Sequence, residues 1–387
     1  MPLLSFADAL AIEGGALEPA NLPEPIPPQL VASALATLNA AGQGFEVAMD
    51  RAKRRFPCAS VLTPSTSPRC SVRPLAEGLH AIFVPIGVVA RLHVTARVLL
   101  RYWGKERRIR AHQSPLDPSQ WDPRCVPPHL RPLLLDYDES REFWRDLAVL
   151  DASVPPSPAD RDAEELTHLA LQFLVAHEFA HVLHGHFELL ERAEREDLGL
   201  SQLELLRGIE ADADATAAAL SMLLLNDAVV AALSRGEPAQ FELGWLRLSY
   251  AVTMLFGVTD AQRRYFGAYR ECEYSHPTVR SEVASFAAYQ SMEPRGREAW
   301  QHQDAQGLAR CVQAFDDLLL DSMAGLYGEL EVESHRCAVH NMHHGMSLLG
   351  ATQRALLQAK QAALGDAERV RALLPLFAER NARAQKR

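Results

Sequence analysis

Two histidines and a glutamate, His177, Glu178 and His181, lie in the run HEFAH. Histidines four residues apart on a helix project from one face about one turn apart, so a single metal ion can bridge them. Glu178 falls about 100° round that helix from His177. From there a carboxylate can reach a water at the metal without ligating the metal, which is the position of a general base. Downstream, the segment EADADATAA carries Glu210 and Asp214, again four apart, with Glu210 29 residues beyond His181. A glutamate there can complete the tetrahedron of Zn²⁺ and leave one position for water. Asp214 can accept a hydrogen bond from the distal nitrogen of a ligating histidine and fix its tautomer. Asp212 is the competing third ligand. An acidic first helical turn would explain the same carboxylates without a metal, but the histidine pair upstream favours ligands.

The remaining histidines divide by spacing. His184 continues the stripe 166, 170, 173, 177, 181 and 184 but lies a further turn along, too far to share the same ion easily. The H-E-x-x-H-x-x-G-x-x-H arrangement is disfavoured, because Gly185 comes one residue late and His186 one residue early. His340 and His344 share an i,i+4 spacing, as many surface pairs do, and His335, His340, His343 and His344 are read as non-ligands.

These side chains need a scaffold, and the periodicity supplies mainly helices with little sheet, an α+β chain. Ser157 and Pro158 suit the start of a helix running Asp160 to His184. Further helices are predicted at 29–52, 88–103, 202–233, 242–269 and 278–291, with a C-terminal set after Arg295. The run HAIFV at 80–84 reads as a short strand. Proline-rich stretches at 57–74 and 115–132 read as loops. They suggest an N-terminal extension over 1–75, a metal-centred core over 76–292 and a helical C-terminal region over 293–387. The basic stretch Arg97 to Arg110 is read as a solvated helix end and loop.

HEFAH together with E-x-x-x-D at 210–214 resembles the gluzincin branch of HExxH zinc metallopeptidases. EADADATAA is similar to the corresponding run of ImmA/IrrE-type peptidases, with Asp212 in place of a glutamate and Thr216 in place of an aromatic. SHPTVRSE at 275–282 resembles the histidine-proline segment of Ste24/HtpX-type and Lit-type peptidases, with His276 and Arg280 at the matching positions. The resemblance spans roughly 78–290 and implies a zincin-like core whose cleft is lined by an edge strand, HAIFV being the similar segment. It also implies that His276 approaches the metal or stabilises an oxyanion, with Tyr274 as an alternative donor and a simple turn histidine as the bland reading.

Composition narrows the function class. A net charge of −10 with a pI near 5.8 argues against broad capture of nucleic acid. Six cysteines without a C-x-x-C pair fit reduced thiols in a cytoplasm. The N-terminus lacks a basic and apolar leader pattern, and charged or polar residues interrupt both long apolar runs, so a membrane association is not expected. The expectation is a cytoplasmic zinc endopeptidase acting on a protein or peptide. The alternative is a metal-binding regulatory or interaction protein, related to host defence or stress, that works by binding a partner.

Overall fold

The computed structural model describes residues 3–102, 140–259, 277–291 and 362–373, short stretches within 21–25, 53–56, 153–159 and 235–237 and residues 77 and 364 aside. Its elements run α1 (Phe6–Ile12), α2 (Pro28–Ala52), β1 (Cys58–Thr63), β2 (Ser71–Pro74), β3 (His80–Pro85), α3 (Ile86–Tyr102), α4 (Ser140–Ala152), α5 (Asp160–His184), α6 (His186–Ala193), α7 (Gln202–Ser234), α8 (Pro238–Thr259) and α9 (Pro277–Gln290). The described residues are mainly helical with a small three-stranded sheet, in line with the expected mainly α chain with little sheet.

HAIFVP is apolar almost throughout, and such a run is stable where both faces are covered. It forms the middle strand: β1 pairs parallel to β3 and β2 pairs antiparallel to it, with Val61 and Phe83, and Val72 and Ile82, in register. Alternation then splits its side chains. Ile82 and Val84 enter the main helical core, while Ala81 and Phe83 pack with Ala9 of α1. The strand expected at 80–84 therefore exists but has no free edge. The edge that faces the cleft is β2, in a stretch read as loop. Its four residues carry no alternating apolar pattern, and only pairing with β3 makes them a strand.

Helix α5 spans the predicted 160–184 and is buried on nearly all sides, from Ala163 to Val182, instead of on one stripe. A helix apolar all round sits in the middle of a core. Helices α2, α3, α7 and α8 surround α5, and β2 and β3 cross it. Phe179 has no exposed surface and stacks on Phe45 of α2 with ring centroids 4.2 Å apart. Phe173 meets Phe256 of α8 edge to face at 5.8 Å. Each such buried ring contributes about 1.5–3 kcal/mol, so the helix that carries the histidines is held rigidly.

The N-terminal segment is part of this core. Val31, Leu38 and Phe45 of α2 share one buried cluster with Phe173 and Phe179, and the boundary read at residue 75 falls between paired strands β2 and β3. The basic stretch is partly engaged as well. Arg97, only 10% exposed, reaches Asp151 and Asp160; 103–110 lie outside the described residues. Of the C-terminal region only the helical stretch within 362–373 is described. It lies close on α7, for a Cβ at Gly208 would come within 2.6 Å of Val370 and 2.9 Å of the Asp366 carbonyl. No helix among the described residues is long and apolar enough to cross a membrane.

Candidate metal centre

The buried end of α5 presents His177 and His181, and α7 packs beside it with Glu210, Asp212 and Asp214 in its first half. Between the two helices Gly185 adopts φ 69° and ψ 38°, a left-handed conformation that is easy for glycine. It ends α5 at His184 and starts α6 at once, which turns His186 inward. His186 is 1% exposed.

Nε2 of His177 and Nε2 of His181 face each other at 3.2 Å. The Glu210 carboxylate lies 3.3 Å from the first and 3.8 Å from the second. Three electron-pair donors converge on one point, an arrangement that repels itself unless a cation or proton lies among them. The spacing suits a metal. Zinc bonds of about 2.0–2.1 Å in a tetrahedron put neighbouring ligand atoms about 3.3 Å apart. His177, His181 and Glu210 thus form a group able to hold a metal ion.

Protonation reflects the same convergence. Burial opposes charge on His177, but Asp214 and Glu210 outweigh it and raise its pKa to about 10. Burial holds His181 well below the usual histidine range. Burial also raises Glu178 to about 7; Glu210 adds to the rise, while His177, Arg280 and the backbone N–H of Val72 oppose it. Glu210 is held well below the ordinary carboxylate range, its histidine neighbours overcoming burial.

Charged partners brace the group from behind. Nδ1 of His177 lies 2.9 Å from Oδ1 of Asp214, at a bent angle. Arg280 of α9 donates to both oxygens of Asp214, at 2.7 and 2.8 Å, and to Glu210 at 3.4 Å. The Arg280 guanidinium also sits 4.3 Å over the Phe256 ring.

Asp212 does not join the three ligands. It faces the other way, between His184 and His186, which form a second group with it, and Arg371 donates to its other oxygen. Of the two carboxylates weighed for the third position, Glu210 is therefore the one grouped with His177 and His181.

The three ligands open on a cavity of about 390 Å³ that Glu178 also lines. Ser71 and Val72 of β2 form one wall, and Phe173, Leu255 and Phe256 contribute an apolar lining. Five of the sequence-predicted side chains, His177, Glu178, His181, Glu210 and Asp214, are thus brought together. His276 and Tyr274 lie outside the described residues, as do His335, His340, His343 and His344. Sequence reasoning missed His186, whose only signal is the glycine before it, and Arg371, for which there is none.

Comparison with protein-family models, with curated proteins and with solved structures found no match to this chain.

Proposed function

We propose that this chain is a zinc-dependent endopeptidase with a gluzincin-type centre on a zincin-like core. The observation that carries the reading is the meeting of His177, His181 and Glu210 at tetrahedral spacing with Glu178 beside them on a cavity. Cysteine is absent from the donor set, and two imidazoles with one carboxylate suit zinc.

Zinc bound there would polarise a peptide carbonyl and lower the pKa of a water. The remaining work falls to side chains of the chain. Glu178 accepts the water's proton on its carboxylate and returns it to the leaving amine. In the metal-free protein burial already raises this carboxyl above the ordinary range, as suits a group that takes and returns a proton. Asp214, clamped by Arg280, keeps His177 with its hydrogen on Nδ1 and its lone pair forward.

The substrate is an extended peptide. In the sheet order β1-β3-β2 one side of β2 is unpaired among the described residues, and Ser71 and Val72 line the cavity, so a peptide can add there as a further strand. The apolar lining by Phe173, Leu255 and Phe256 favours an apolar side chain beside the scissile bond.

Zinc quantitation after gentle purification, paired with a proteolysis assay on wild type and Glu178→Gln, tests the proposal. One zinc per chain in both, with cleavage lost by about 10²–10⁴-fold in the variant, is the expected result. A wild type without affinity for zinc would overturn it. Zinc without cleavage of any peptide library would favour a metal-bound protein that acts by binding a partner.

A further inference from the structure

His186 has two ring nitrogens, and each faces one partner. Nε2 lies 3.3 Å from Oδ2 of Asp212, within ion-pair distance but outside hydrogen-bond geometry. Nδ1 lies 2.9 Å from Nδ1 of His181. Asp212 is itself held as a carboxylate, by Arg371 on one oxygen and His184 on the other.

Hydrogen parity orders this row of groups. A carboxylate only accepts, and its negative charge favours the N–H of His186 on Nε2, the nitrogen that faces it. A neutral imidazole has one N–H, which leaves Nδ1 of His186 a bare acceptor. The hydrogen between the two Nδ1 atoms therefore belongs to His181. Nε2 of His181 is then a free lone pair, and it is the atom that faces Nε2 of His177 at 3.2 Å.

We propose that Asp212 and His186 are positioning residues that set the tautomer of His181 through this relay and so prepare it as a metal ligand. The inference rests on the zinc reading of the site. It deepens that reading by giving the second histidine a buried orienting partner of its own, as Asp214 is for the first. His186 is 1% exposed and its two ring nitrogens face these two neighbours.

The same parity decides against a second ion. His184, His186 and Asp212 also lie close enough to hold a metal, but an ion there would need Nε2 of His186 bare. Its hydrogen would move to Nδ1, and the hydrogen of His181 would move to Nε2. The first site would then lose its second histidine. The two sites exclude each other, and the relay is the arrangement compatible with His177, His181 and Glu210 acting together.

The test uses the full chain with zinc as the probe, in wild type, His186→Phe and His186→Gln. Phenylalanine keeps a ring but removes both nitrogens, whereas glutamine offers an oxygen to His181 and an N–H to Asp212. Competition against a chromophoric chelator should show zinc binding about 10–100-fold weaker in His186→Phe, with most of the loss restored in His186→Gln. Thermal melts of the metal-free proteins identify a variant that fails to fold, and the glutamine variant then carries the comparison. Long-range ¹H–¹⁵N spectra of histidine-labelled, metal-free wild type should show His181 protonated at Nδ1 and His186 at Nε2. That readout stands even if wild type binds no zinc, an outcome that would count against the zinc reading alone. The opposite tautomers, wild-type zinc affinity in a folded His186→Phe, or two zinc ions per chain would each overturn the proposal.

Discussion

Arg280 of α9 and Asp214 of α7 form a two-pronged ion pair, at 2.7 and 2.8 Å, behind the ring of His177. Asp214 has no exposed surface and Arg280 is 10% exposed. Removing one member of a buried pair leaves a charge without water or partner, at a cost of about 3–5 kcal/mol. Arg280→Ala should lower unfolding free energy by that order in urea titrations of the metal-free protein. Arg280→Lys should recover only part of it, because an ammonium cannot span both oxygens.

Glu178 gives a pH test of the metal-free state. Its folded pKa, about 7, is raised from 4.5, chiefly by burial. The buried carboxyl is tolerated when neutral, so its contribution to stability is fully present below 4.5 and is lost as pH rises towards 7. Glu178→Gln removes that loss. Chemical unfolding with a chelator present should find the variant more stable than wild type at pH 8, by on the order of 2 kcal/mol, with the gap closing by pH 4. An equal gap at both pH values would refute the burial argument.

Gly185 tests the turn that brings His186 inward. Its φ of 69° suits glycine, and an added Cβ would lie 3.3 Å from the Glu188 carboxylate. Gly185→Ala should cost about 1–2 kcal/mol in thermal or urea unfolding, and should weaken zinc binding in the same chelator competition.

Loading with metal should also stabilise the fold. Saturation at about a hundred times the dissociation constant adds about 2.7 kcal/mol. Differential scanning calorimetry with and without zinc should therefore show a raised midpoint. His177→Ala and Glu210→Ala should abolish the increase.

Cys58 and Cys70 should resist alkylation. Burial pushes the Cys58 thiol up to about 12. It raises Cys70 as well, with help from Glu178, and the Cys70 thiol donates to the Phe83 carbonyl at 3.1 Å. Iodoacetamide at pH 8 followed by peptide mapping should find both unmodified in folded protein and modified after denaturation. The neutral Cys58 thiol supports the fold below pH 9, and that support drains away between pH 9 and 12.

The parts legible in the sequence were those with local causes. The bounds of α5 followed from periodicity, and the nearness of His177 to His181 from their i,i+4 spacing on that helix. Asp212 and Glu210 could not be told apart from spacing, since the choice depends on how α7 is rotated against α5. That rotation is set by packing between helices. Strand β2 was hidden for a similar reason, because SVRP becomes a strand only by pairing with β3. The inward turn at Gly185 needed a left-handed backbone, which a single glycine among histidines does not announce.

The braces of the site have a consequence for the order in which the protein is made. Asp214 waits for Arg280, 66 residues later in the chain, and Asp212 waits for Arg371, 159 residues later. A chain emerging from the ribosome therefore lacks the guanidinium partners of these carboxylates until residues 280 and 371 have been synthesised. The pairing that braces the centre is thus completed late, after the helices that carry His177, His181 and Glu210 have been made.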